Sequence, residues 1–467
     1  MRKVIFIKTV ELNQMYEVKI SGLNSNAQGV GRINEFTIFV DGALPNELVK
    51  VKITELKKNY GIGELIEIIK ASADRVEPSC AIYKECGGCQ LQHLSYSAQL
   101  KWKRQQVIDA VTRIGKLDVK DNVIAEVNDT ANKVEIKNTI GMKNPWHYRN
   151  KMQFPVGMSK GKVKIGCYAK STHQIIDTDS CLIQKPQNDL ILQAARRVIN
   201  KFKIQPYNED KHSGLLRHVM ARTGINETML VLVTARDKLP NDKAISKALH
   251  NELNDITTIQ QNVQSYHNNV ILGRDTKVLY GKRAIKDKIG DLTFNISARS
   301  FFQVNTLQAE KLYKTALDFA DLHGNEIVVD AYCGTGTITL FLAKHARRVY
   351  GIEIVTSAIA DAKVNARENN IHNAEFITGD AAVMLPKLGV KPDVIVLDPP
   401  RAGCDAKLLS TIAKLKPSRV VYVSCNPATL ARDLNILETN GYKTKMIQPV
   451  DMFPFTSHVE AVALVTS

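Results

Sequence analysis

The residues best suited to chemistry are Cys425, Asp398 and Glu460, each standing where an apolar run meets a turn. Arg419–Ser424 is nearly continuous in apolar and β-branched residues, the pattern of a strand buried on both faces. Asn426 can cap and Pro427 can open a following helix, which predicts Cys425 at a strand's carboxyl end beside a helix N-terminus. The helix dipole is expected to favour thiolate over thiol there, making Cys425 a candidate nucleophile. Leu397-Asp398-Pro399-Pro400-Arg401 ends another apolar run with an acid. Glu460 opens a last hydrophobic stretch, and taken alone it reads as a solvated strand end.

These residues need a scaffold that gathers them. Glu326–Asp330 predicts a buried strand running into Ala331-Tyr332-Cys333-Gly334-Thr335-Gly336-Thr337 and then a helix from Ile338. Arg348–Glu353 predicts the next strand, with an acid at its end. A Gly-rich turn lets a cofactor approach the backbone, and Glu353 can chelate two ribose hydroxyls. Leu340 stands where a dinucleotide fingerprint needs a third glycine, which suits S-adenosylmethionine better than NAD. Further strands are predicted at 375–380, 393–398, 419–424, 442–450 and 458–466. The pattern predicts a Rossmann-like α/β methyltransferase domain over 294–467, with a seven-stranded sheet whose last strand is antiparallel and inserts between the fifth and sixth. Glu460 then faces the same crevice as Cys425, Asp398 and the Gly-rich turn.

Upstream, short β-patterned runs between Tyr16 and Ile69 alternate with turn signals, predicting an OB-like β-barrel over 12–71. A central α+β domain is expected over 72–293, including an amphipathic helix at about 94–117 that packs on the catalytic domain. The polar stretch 119–137 reads as a loop or insertion. Cys80, Cys86 and Cys89 form a C-x5-C-x2-C cluster, three thiolates of an incomplete metal or cluster site. Cys167 and Cys181 are candidates for the fourth, and zinc and a 4Fe–4S cluster both satisfy the spacing. The first gap is too long for the C-x3-C-x2-C pattern of radical S-adenosylmethionine chemistry.

The 467 residues carry a formal net charge of +16, which suggests a polyanionic partner such as RNA. Lys143, Arg149, Lys151, Lys160, Lys162 and Lys164 form a candidate phosphate surface, or else a merely solvated face. No apolar run approaches a membrane span and no signal-peptide pattern opens the chain, so a cytoplasmic protein without membrane association is expected. Eight unevenly spaced cysteines do not resemble a secreted disulfide framework.

The segments Ser300–Asn305, Asp330–Gly336, Leu397–Arg401, Val423–Asp433 and His458–Val462 together resemble the RNA uracil-5-methyltransferase family. The N-terminal barrel resembles a TRAM domain through Gly29-Val30-Gly31-Arg32 and Ala43-Leu44-Pro45-Asn46-Glu47. A TRAM domain with a cysteine cluster is similar to the branch acting on large-subunit (23S) ribosomal RNA. The resemblance implies a 4Fe–4S cluster on Cys80, Cys86, Cys89 and Cys181. It also implies S-adenosylmethionine contacts from Gln303, Tyr332, Glu353 and Asp398, and a monomer. Cys425 would add to C6 of uracil, which activates C5 towards the methyl group, and Glu460 would remove the C5 proton. Asp398 could also accept a hydrogen bond from N3–H of the flipped base. A transfer-RNA uracil methyltransferase is the alternative, followed by a non-catalytic RNA-binding ribosome-assembly factor.

Overall fold

The computed structural model describes residues 10–120 and 133–467. Much of the expected 119–137 loop therefore lies outside the described residues. The chain divides into two compact units, one running to Gln106 and including Phe455–Ser457, the other Val107–Pro454 with His458–Ser467.

In the first unit, strands Met15–Leu23, Gly29–Ile33, Phe36–Val40, Tyr60–Lys70 and Leu48–Leu56 close, in that order, into a barrel. Val18, Ile20, Ile38, Val40, Val49, Val51 and Ile53 alternate with outward residues and fill its interior. Gly31 is required by close approach: a Cβ there would lie 2.2 Å from Cγ1 of Val18. Glu47 is fully buried and accepts from the Leu44 amide at 2.8 Å and the Ser72 amide at 3.2 Å. It also accepts from Arg75, through Nε at 2.6 Å and Nη2 at 2.8 Å. This carboxylate ties the chain leaving the barrel back to the turn before Leu48. Beyond it, Leu91, Leu94, Ala98 and Trp102 form a satellite core with Ala27 and Leu44. The Phe455 carbonyl accepts from the amides of Gln90 and Leu91, both at 2.9 Å.

The second unit holds two large sheets. The first is seven-stranded, in the order Asp275–Gly281, Thr258–Val263, Thr228–Thr234, Leu216–Thr223, Lys151–Ser159, Lys162–Tyr168, Ile175–Asp177. Its core is covered by the helices Pro186–Lys201 and Asp242–Glu252. The second sheet runs Ala374–Thr378, Arg348–Glu353, Ile327–Asp330, Val394–Leu397, Arg419–Ser424, Glu460–Thr466, Lys443–Val450, Glu135–Ile136. The last long strand does insert antiparallel between its expected neighbours. Among the described residues the sheet has eight strands, however, not seven. Glu135–Ile136, inside the stretch expected to be loop, pairs parallel with Met446 and Ile447 and covers the edge that Lys443–Val450 would leave open.

The expected helix runs Tyr96–Arg113, and its Val107 and Val111 join the second unit's core with Leu430 and Leu434. Met220, Met229, Val231 and Val233 of the seven-stranded sheet share one core with Phe294, Phe302 and Leu312. These residues lie on both sides of the expected junction at 293–294.

Glu47 yields a stability prediction. Burial pushes its carboxyl up, but the Arg75 hydrogen bonds and the two amides outweigh burial and hold it below its ordinary value. Its stabilising contribution is thus present above the unfolded pKa near 4.5 and is lost as pH falls through the lower folded value. Arg75→Ala leaves a buried charge without its partner and should cost about 3–5 kcal/mol. Urea unfolding at neutral pH should show that loss, with the gap to wild type narrowing in acid.

Candidate active site

Parallel register brings four functional positions to one sheet edge. Asp330 pairs with Val396, and Leu397 pairs with Tyr422, so Asp398 and the Ser424–Cys425 turn leave the sheet at neighbouring points. On the antiparallel strand, Ser424 faces Ala461, which sets Glu460 across the ladder from Cys425. The predicted cap is present: Asn426 Oδ1 accepts from the Ala428 amide at 3.0 Å as the helix Pro427–Thr439 begins. Asn426 Nδ2 also donates to the Arg401 carbonyl at 3.1 Å, joining the Cys425 turn to the Pro-Pro-Arg loop.

The electrostatics differ from the expectation of a thiolate favoured by the helix dipole. Burial raises the Cys425 pKa, the carboxyls of Glu460 and Asp398 raise it further, and Arg401 offsets only part of this. Glu460 is 5 % exposed, and burial lifts it to about 7 against the pull of Arg401. Asp398 is held well above its ordinary range by burial, then by Glu460 and Asp330. Burial also takes Asp330 to about 6, even though Thr339 Oγ1 donates to it at 2.6 Å. The crevice therefore holds a protonated thiol beside buried carboxyls whose pKa values are all raised, that of Glu460 to about 7.

At the Gly-rich turn, Gly334 and Gly336 adopt φ of 53° and 84°. A Cβ on Gly336 would press to 3.2 Å on Ala362 and Phe376, whereas one on Gly334 would meet nothing within 4 Å. The turn is thus packed from behind and open in front. Glu353 accepts from the amides of Gly334 at 3.2 Å and Val355 at 2.8 Å, so its carboxylate is fixed at the mouth of the turn. Tyr332 is half-buried against Cys404. The Gln303 carbonyl accepts from Asn150 Nδ2 at 3.1 Å, and its side chain lies near the Tyr313 hydroxyl, which is 3.2 Å from Thr337 Oγ1. Sequence reasoning missed Tyr313. Its hydroxyl feels both Asp398 and Glu460, yet a tyrosine on the buried stripe of a helix looks like any core residue.

The cysteine expectation fares differently. None of the eight cysteines is in a disulfide. Cys80, Cys86 and Cys89 share a loop of the first unit, and burial, then Cys86, raises the Cys80 thiol. Cys181 belongs to the second unit, where its amide donates to Asp189 Oδ1 at 3.0 Å. Among the described residues no group of three or more His, Cys, Asp or Glu is placed to hold a metal ion.

A twisted sheet with an inserted antiparallel last strand and a Gly-rich turn after Asp330 is the architecture of a Rossmann-like methyltransferase. The chain belongs to the tRNA (uracil-5-)-methyltransferase family, which it matches over residues 116–384 and 389–467, and it carries a TRAM domain at 9–66. An uncharacterized RNA methyltransferase of Clostridium tetani is 50% identical over 462 residues, covering 98% of this chain and 97% of that protein. A similarly described protein of Halalkalibacterium halodurans is 49% identical over 460 residues, 97% of each chain. Among solved structures, a Pyrococcus abyssi tRNA (uracil-54, C5)-methyltransferase bound to S-adenosyl-L-homocysteine aligns with TM-score 0.76 and 28% identity, covering 96% of this chain and 99% of that one. Among the described residues no helix is long and apolar enough to cross a membrane.

The charge arrangement around Cys425 is directly testable. Arg401→Ala should raise the thiol's pKa and slow its alkylation by iodoacetamide at mildly alkaline pH. Glu460→Gln should do the reverse, each by about two- to tenfold. Mass spectrometry of the Cys425 peptide over time measures both rates.

Proposed function

We propose that this enzyme methylates C5 of a uridine in RNA with S-adenosylmethionine, through a covalent bond between Cys425 and C6. The observation that carries this reading is the buried pairing of Cys425 with Glu460 across the ladder, beside the open Gly-rich turn. When bound, S-adenosylmethionine supplies an electrophilic methyl group. Gln303, Tyr332, Glu353 and Asp398 would hold it. Cys425 gives up its proton to solvent as sulfur adds to C6, and the electron pair released onto C5 and O4 makes C5 nucleophilic. After C5 has gained the methyl group, Glu460 takes the C5 proton. The C6–S bond then breaks and C5=C6 re-forms. A carboxyl near 7 suits that task. Asp398, whose carboxyl burial holds well above its ordinary range, can accept from N3–H of the flipped uracil.

For the target we favour large-subunit ribosomal RNA, on the resemblance carried by the barrel and the cysteine loop. Transfer RNA is the second reading, favoured by the family's name and the Pyrococcus enzyme. RNA carrying 5-fluorouridine should trap a denaturation-stable complex, because fluorine cannot leave as a cation. Sequencing the trapped RNA should return 23S fragments, whereas transfer RNA would move the assignment. Cys425→Ala should trap nothing. Glu460→Gln should accumulate a methylated adduct on ordinary target RNA while turnover drops by about 10²–10⁴-fold. Normal turnover by that variant would put the base elsewhere.

The cysteine loop is a separate proposal: a 4Fe–4S cluster with a structural role, in which no step of the reaction takes place. Its support is the spacing of Cys80, Cys86 and Cys89, none of which is in a disulfide. Protein purified without oxygen should be brown and contain iron and sulfide. Cys86→Ser or Cys89→Ser should bleach it and Cys167→Ser should not; colourless protein with bound zinc would replace the assignment.

A further inference from the structure

The strand Lys151–Ser159 pairs antiparallel with Leu216–Thr223, and the register sets Lys151 directly opposite Arg222. Two cations facing each other across a ladder repel. Arg149 adds a third, its Nε donating to the Lys151 carbonyl at 2.9 Å. No carboxylate forms a salt bridge with any of the three among the described residues. Arg222 is 3 % exposed and spends its terminal nitrogens on backbone, Nη2 to the Ser300 carbonyl at 2.9 Å and Nη1 to that of Ser297 at 3.3 Å. Its Nε is buried with no acceptor. A guanidinium so enclosed, with one donor left over, is an incomplete arrangement.

We propose that Arg149, Lys151 and Arg222 form a phosphate site for the RNA strand, set beside the segment Ser300–Asn305. The inference rests on the uridine-methylating reading and specifies where one backbone phosphate is held. The same stretch of chain touches the cofactor-side residues. The Asn150 amide donates to the Val304 carbonyl at 2.8 Å, and its side chain bonds the Gln303 carbonyl. A phosphate anchored here would fix the strand relative to Gln303 without reading its sequence.

Other charges face this group. Asp287 is buried near Arg222 and Lys185, and its Oδ2 accepts from Asn150 Nδ2 at 3.2 Å. Burial raises that carboxyl, while Lys185, the Lys288 amide, Asn150 and Arg222 lower it. Burial, then Arg222 and Arg149, pulls Lys151 down to about 7, the mark of an ammonium lacking an anion. A phosphate oxygen supplies that anion, and charge-assisted bonds to it are among the stronger ones available. Of the six basic residues suggested by sequence, only Arg149 and Lys151 belong to this group. Arg222 completes it from a strand that is buried throughout.

The test measures binding of a fluorescein-labelled oligouridylate by the full chain at several salt concentrations. Lys151→Gln should weaken binding and reduce the slope of log K against log salt by about 0.7, the value for one contact on a single strand. Lys151→Arg should restore both. Removing a like charge should leave the melting temperature unchanged or higher, which a structural role for Lys151 would not allow. Inorganic phosphate, added at constant ionic strength, should compete with the oligouridylate for wild type. Unchanged affinity and slope in Lys151→Gln would overturn the proposal. So would competing phosphate that binds wild type while the variant keeps full RNA affinity, because the site would then serve free phosphate. A lowered slope in a protein that forms no 5-fluorouridine adduct would leave this site standing and defeat the uracil chemistry. Adduct formation with an unchanged slope would do the opposite.

Discussion

The strand Glu460–Thr466 runs antiparallel between Arg419–Ser424 and Lys443–Val450, and the chemistry depends on its register. A parallel strand delivers its functional residue at its carboxyl end. An antiparallel neighbour delivers its first residue to the same edge, so Glu460 meets Cys425 although 35 residues of chain separate them. Side chains alternate faces along a strand, so a slip by one residue would turn Glu460 to the other side of the sheet. Ala461, Val462, Ala463 and Val465 are buried on both faces and fix the register through packing.

Burial at that edge sets the protonation states. A thiol at a helix N-terminus in open solvent would be acidified. Here desolvation and two carboxyls outweigh the dipole, and Arg401 restores part of the difference. The same desolvation lifts Glu460 to about 7 and holds Asp398 well above its ordinary range. Opposite shifts on neighbouring groups would separate an acid from a base. In this crevice the shifts share one direction, leaving each group close to giving or taking a proton when substrate changes its surroundings.

Much of the site was legible because its residues sit at punctuation in the chain. Cys425 follows a β-branched run and precedes Asn-Pro, and Glu353 ends the strand after the Gly-rich turn. Glu460 was legible only through strand order, since locally it is an acid before apolar residues. Tyr313 and Arg222 were not legible. The first lies on the apolar stripe of the helix Thr306–Ala320, and the second sits in a strand buried along its whole length. The two-residue strand Glu135–Ile136 was too short to carry a period and is stabilised by the edge it covers. The thiol's direction of shift was misjudged because a dipole can be read from local sequence, whereas burial and distant carboxyls cannot.

The Pro-Pro-Arg loop and the nucleophile helix behave as one piece. Asp433, fully buried two turns into that helix, accepts from the Tyr422 hydroxyl at 2.6 Å and the Cys404 amide at 2.7 Å. Arg432 pairs with it at 2.7 Å and donates to the Ala402 carbonyl at 2.9 Å. At the helix start, Asn426 and Thr429 both donate to the Arg401 carbonyl. Gly403 has φ of 80°, and a Cβ there would lie 2.5 Å from Arg432 and 2.6 Å from Asp433, so the loop closes on the helix only with glycine. The charge of Asp433 is neutralised by donors from three segments, which makes it a fixed point. Asp398 and Arg401 enter this loop and Cys425 enters this helix. Their mutual geometry is therefore held by a buried carboxylate outside the crevice, and the thiol does not drift from the groups that set its pKa.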